Sequence, residues 1–156
     1  MKSNAKDGIK VKGFFNIQIL GKGGKIVGES GWRRNTVTDF GLDNACAGAS
    51  IGAAGSKQVG FAVLATQSTT VDATQILLLG TQAECISVAP STIVTGKARC
   101  TVSFHGSDMA GTVTIGSIGL HSTDSASTDM IAGATFATSQ YASDQSVNAT
   151  YQLEFS

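Results

Sequence analysis

The sequence predicts an all-β domain, a β-sandwich or barrel-like fold of about seven to nine strands with one short helix near residues 39–48. Two observations carry that expectation. Apolar and polar residues alternate at period two in several stretches, the signature of half-buried strands. These stretches are short, and Gly-, Ser- and Thr-rich joints separate them.

The clearest alternation is at the C-terminus, where Val147, Ala149, Tyr151, Leu153 and Phe155 interleave with Asn148, Thr150, Gln152 and Glu154. Phe15, Ile17 and Ile19 alternate with Asn16 and Gln18, and Gly21-Lys22-Gly23-Gly24 then supplies positive-φ positions for a hairpin turn into 25–28. Further strands are expected at Gln58–Ala65, Glu84–Val88, Ala98–His105, Thr112–His121 and Met130–Thr138. Around Gly116 the inward set shifts from Val113 and Ile115 to Ile118 and Leu120, which predicts a bulge. The single proline, Pro90, marks a strand end or an edge. One helix interrupts the pattern. Thr38 or Asp39 caps it, and Leu42, Ala45, Cys46 and Ala49 follow at helical spacing before Gly48 and Gly52 end it. Residues 66–82 fit neither period, with Asp72 a candidate cap and 76–79 apolar.

Composition bounds the function. A chain of 156 residues is the size of one domain, and 42% hydrophobic residues with a mean hydropathy of +0.13 exclude intrinsic disorder. Only 14% of residues are charged, against roughly 25% in ordinary soluble domains. Ser and Thr number 17 each and Gly 19, so the surface is hydroxyl-rich, and such a surface favours assembly over free diffusion. Eleven basic and eleven acidic residues cancel, so net charge steers the chain to neither nucleic acid nor an anionic membrane. No apolar run is long enough to span a bilayer, and the opening residues lack the apolar core of a signal peptide, so synthesis and folding in the cytoplasm are expected. Cys46, Cys85 and Cys100 match no zinc spacing and read as buried thiols, with one bridge or an intermolecular pair left open.

The charges are polarised. Lys2, Lys6, Lys10, Lys12, Lys22, Lys25, Arg33 and Arg34 face only Asp7 and Glu29 in the first 34 positions, and no Lys or Arg follows residue 102. Residues 1–13 read as a basic arm and 14–156 as a single β domain. The arm either is solvated or lies against an acidic neighbour. Nucleic acid ranks third, because Phe14, Phe15 and Trp32 are the only aromatics nearby.

Chemical motifs are thin. Gly48-Ala49-Ser50-Ile51-Gly52 matches a nucleophile elbow in letters, but it follows a helix where the elbow must precede one, so a Gly/Ser loop is expected. Any Ser-His-Asp set would need His105 or His121, and both read as surface or turn histidines. Gly21 to Gly24 lacks the spacing of a phosphate loop, and Asp124 to Asp129 lacks the close oxygen ligands of a calcium loop and reads as a polar connection. No catalytic residue, metal or cofactor is expected.

Residues 32–43, Trp-Arg-Arg-Asn-Thr-Val-Thr-Asp-Phe-Gly-Leu-Asp, resemble a pattern of small structural proteins of tailed bacteriophages, in which a hairpin is followed by Asn-x-Val/Ile-Thr-Asp/Asn-x-Gly-Leu opening a short helix. In that pattern Asn35 leaves the strand, Thr38 or Asp39 caps the helix, and Gly41 lets another backbone approach. Residues 61–70 with Leu77–Leu79 are similar to a strand, loop and later leucine of those proteins, with Ala65 and Gln67 where glycines are usual. The order of 115–120, 130–136 and the closing strand is similar to tail-fibre and neck-associated modules.

The resemblance implies a non-enzymatic virion protein, made in the host cytoplasm, at the neck, tail or fibre base, and working as a homo-oligomer against copies of itself and other virion proteins, with no membrane. A capsid decoration or cement role is the alternative. The expected partner contacts are Lys2, Lys6, Lys10, Lys12, Trp32, Arg33 and Arg34. A carbohydrate-binding or adhesin module is a third reading, with Trp32 and Tyr141 as its candidate aromatics.

Overall fold

A computed structural model describes residues 10–48, 52, 54–55, 57–88, 92–108, 111–122 and 128–156. Among the described residues ten strands form one antiparallel sheet: β1 (Val11–Leu20), β2 (Ile26–Glu29), β3 (Arg33–Val37), β4 (Phe61–Ala65), β5 (Gln82–Ser87), β6 (Thr92–Val94), β7 (Lys97–His105), β8 (Val113–His121), β9 (Met130–Tyr141) and β10 (Ser146–Phe155). Nine follow the order β5-β4-β8-β9-β3-β1-β10-β7-β6, and β2 pairs beside β3 on β1. The sheet is nearly closed and barrel-like, so the sequence reading of the fold holds.

The sheet turns over on itself at β3. Arg33–Asn35 pair with β1, whereas Thr36 and Val37 pair with β9, so this one short strand crosses from one layer to the other. Asn35 therefore does not leave the strand, as its motif implied. It is the last residue bonded to β1 before the crossing.

Between the layers lies the main core. Phe15, Ile17, Val102, Phe104, Val147, Ala149 and Tyr151 from one layer meet Leu64, Ile115, Ile118, Leu120 and Ala134 from the other. The alternation read from β1 and β10 thus faces inward as expected. The phase change in β8 is also present, because the β8–β9 register shifts between Ile115 and Ser117. Gly116 sits in that bulge, and a Cβ there would come 2.8 Å from the Gln67 carbonyl oxygen.

The glycine turn after β1 forms as read, with Gly23 and Gly24 at φ of 79° and 78°. The helix forms at Gly41–Ala47, but with π geometry. Thr38 caps it: its hydroxyl accepts the Gly41 N–H at 3.0 Å and donates to the Ile131 carbonyl at 3.0 Å. The wider turn breaks the expected apolar face, so Ala45 packs on the core while Leu42 is 38% exposed.

Residues 66–81 form a loop that covers the outer face of the β4–β8–β9 layer. Val71 and Leu78 come down on Val63, Ala65 and Met130 in a second, smaller core. Gln67, nearly fully buried, ties the loop together: its Oε1 accepts from Leu79 N and Gln75 Nε2, each at 2.7 Å, and its Nε2 donates to the Thr69 carbonyl at 2.9 Å. Asp72 accepts the Thr74 N–H at 2.8 Å, closing a turn and not capping a helix. Strand β6 and the extension of β9 from Thr138 to Tyr141 were not evident in the sequence. Pro90, the centre of the Gly48–Gly52 segment and most of the Asp124–Asp129 connection lie outside the described residues.

Candidate functional site

The outward face of the β3–β1–β10–β7 layer carries three of the seven expected contact residues, Lys12, Trp32 and Arg34. Antiparallel register sets them in rows. Arg34 lies opposite Phe14, Phe14 opposite Gln152, and Gln152 opposite Arg99. Two residues along, Lys12 lies opposite Glu154 and Glu154 opposite Lys97. The period of two puts both rows on the same face.

Each row is cross-linked. Arg99 donates to Gln152 Oε1 through Nε at 3.1 Å and through its terminal nitrogen at 2.5 Å. Gln152 Nε2 donates to Glu154 Oε1 at 2.7 Å, and Lys97 Nζ stands 2.9 Å from the same oxygen. The hydrogen bond from Lys97 holds the Glu154 carboxyl below its usual range, with smaller support from Gln152 and Lys12.

Two aromatic rings complete the face. The Arg99 guanidinium lies 5.6 Å from the Trp32 ring centre and that of Arg34 6.0 Å from Phe14, both within cation–π range. Trp32 sits on the bend between β2 and β3 and is 51% exposed. Phe14, Trp32, Arg99, Gln152 and Glu154 line a cleft of about 270 Å³. Beyond the cleft the face continues with Asn16, Thr150 and Thr101 in one row and Gln18, Asn148 and Ser103 in the next, where the Glu29 carboxylate accepts from the Asn16 and Gln18 amides at 3.1 and 2.9 Å.

Of the expected contact residues, Lys12, Trp32 and Arg34 are brought together here. Lys10 extends β1, its N–H donating to the Ser156 carbonyl at 2.6 Å, and Arg33 turns its Nε to the Ser30 carbonyl at 3.1 Å. Lys2 and Lys6 lie outside the described residues. Sequence reasoning missed Arg99, Gln152 and Glu154, which reach the cleft only through strand register. Tyr141 is corrected: it is 1% exposed, and its hydroxyl donates to Glu84 Oε2 at 2.9 Å. The longer β9 carries it back to the inner face.

His105 is exposed, as read. His121 is not a surface or turn residue, because the 66–81 loop covers the outer face on which it lies, and it is fully buried. Its Nδ1 is 3.6 Å from Asp129 Oδ1, and neither ring nitrogen has a hydrogen-bond partner among the described residues. Burial pushes its pKa down, against the opposing pull of Asp129. Ser122 donates its hydroxyl to Asp129, not to the imidazole, so the three residues lack the serine-to-histidine bond of a nucleophilic triad. Cys46, Cys85 and Cys100 are thiols, and burial pushes the Cys100 thiol up to about 11.

Fold and face together define a barrel-like antiparallel β domain with a cationic, aromatic cleft on one side. No known family model, curated protein or solved structure matches the chain.

Proposed function

We propose that the chain is a non-enzymatic structural protein of a tailed-bacteriophage virion, at the neck, tail or fibre base, and that it acts through oligomeric contacts with its own copies and other virion proteins. One observation carries the assembly reading: the β2 edge. Among the described residues β2 pairs only with β1, and Ile26 and Val27 on it are 47% and 57% exposed. A short apolar edge with unpaired backbone groups is a template for an added strand.

The placement on a virion rests on the resemblance at residues 32–43. Two of its roles have physical support, since Thr38 caps the helix and a Cβ on Gly41 would lie 2.0 Å from the Ile131 carbonyl oxygen. Identical contacts repeated around a symmetric ring would add as avidity.

Quantifying the protein in purified particles tests the reading. Roughly 6 to 18 copies fit an axial ring, and hundreds fit capsid decoration in its place. Absence from particles, together with a monomeric mass by light scattering at high concentration, overturns it. Val27→Lys should convert an oligomer to monomer with the melting temperature retained.

A further inference from the structure

We propose that the cleft between Trp32 and Arg99 binds an acidic saccharide, a pyranose chain carrying carboxylate groups. This goes beyond the assembly reading and uses a different face from the β2 edge. The cleft has the parts such a ligand needs. The exposed Trp32 ring offers an apolar face for the C–H face of a sugar ring, with Phe14 on the same floor.

The polar groups are already oriented. Arg99 occupies Gln152 Oε1 and Lys97 anchors Glu154, so the second Nε2 hydrogen of Gln152 and the Oε2 of Glu154 are held in fixed positions suited to a sugar hydroxyl. At about 270 Å³ the cleft lies at the lower edge of the roughly 300–1,000 Å³ typical of ligand sites, room for about one sugar ring. Charge selects the class of sugar. Around the cleft Lys12, Arg34, Lys97 and Arg99 outnumber the carboxylate of Glu154, while Glu29 lies two to three rows away beside Gln18, so the cleft itself is cationic.

Single-stranded nucleic acid also stacks on aromatics beside arginines. One feature disfavours it: the cations stop after two rows, where a strand needs a continued basic track. In the rows that follow, Thr150, Thr101, Asn148 and Ser103 suit further sugar hydroxyls, while Asn16 and Gln18 donate to Glu29 at the far side.

Trp32 is the chain's only tryptophan, so its fluorescence reports on the site directly. The purified chain is titrated with a galacturonate tetramer, a neutral glucose tetramer and a thymidine octamer, and binding is repeated by calorimetry. The galacturonate tetramer should give a saturable change that is at least tenfold weaker for the neutral tetramer and for the octamer. Trp32→Ala and Lys12→Gln, both at exposed positions, should each weaken calorimetric binding at least fivefold with unchanged melting temperature. No saturable galacturonate binding at millimolar concentration, equal binding of the neutral tetramer, tighter binding of the octamer, or galacturonate binding unchanged in Trp32→Ala would each overturn the proposal.

Discussion

Asn35 and Tyr151, 116 residues apart, are joined by a hydrogen bond in which the Asn35 amide donates to the buried Tyr151 hydroxyl. The amide reaches the phenol across Gly13, its partner in the β1–β3 register. A Cβ on Gly13 would lie 1.8 Å from Asn35 Oδ1, so only glycine leaves the path open. Gly13→Ala should therefore displace the amide, strand the buried phenol and destabilise the chain by about 1–3 kcal/mol in urea unfolding. The same substitution made on Asn35→Ala should cost about 1 kcal/mol less, because the clash and the bond are already gone.

Gly41 makes a stricter demand, because the atoms it meets are backbone. A Cβ there would lie 2.0 Å from the Ile131 oxygen and 2.8 Å from its carbonyl carbon, and the Thr38 cap depends on the same approach. Gly41→Ala should destabilise by about 3 kcal/mol or more. Gly28→Ala is the comparison: its nearest contacts are Ile19 side-chain atoms at 3.6 Å or beyond, and it should change stability by less than about 1 kcal/mol. Equal effects in urea unfolding would remove the backbone-approach account.

The inner face of this fold was legible because period-two alternation depends only on local neighbours, as Phe15, Ile17, Ala149 and Tyr151 illustrate. The outer face was not. Phe14, Gln152 and Arg99 are separated by most of the chain, and only the β1–β10–β7 register sets them in one row. The loop at 66–81 hid another layer. Val71 and Leu78 have no strand or helix period, yet they bury the side of β8 that reads as exposed, which is why His121 seemed to be a turn histidine. Glycines at 119 and 133 were the available signal. Their missing side chains make room for Leu78 and Val71, whose atoms would be 3.1 Å and 3.2 Å from an added Cβ.

That second layer should unlock as a local unit. Leu78 is 1% exposed, and truncating such a leucine to alanine destabilises by roughly 2–5 kcal/mol. For Leu78→Ala part of this loss should appear as local opening. The Leu79 amide, bonded to Gln67 Oε1, and the Met130 amide, bonded to the Ile76 carbonyl, should exchange hydrogen faster. Amides in the β1–β10 pairing should speed up only by as much as the global stability falls. Uniform acceleration across both layers would refute local opening.

His121 gives the loop a pH dependence whose sign follows from its surroundings. Burial is the larger influence and pushes its pKa below 6.5, while Asp129, the carboxylate facing it at 3.6 Å, opposes the shift without reversing it. Below about pH 6.5 the unfolded chain therefore takes up a proton that the folded chain still refuses, so stability falls as pH drops from 7 toward the folded pKa, by at most about 1.4 kcal/mol per pH unit. The lowered carboxyls of Glu29, Asp72 and Glu154 act in a lower window, since their stabilisation is lost only as pH falls through the carboxylate range. Urea midpoints at pH 7.5 and 5.5 separate the two. The wild-type chain should lose more stability over that interval than His121→Gln, and Asp129→Asn, which removes the charge that opposes the downward shift, should extend the loss to lower pH. An identical loss in wild type and His121→Gln would show that the imidazole is not the group being titrated.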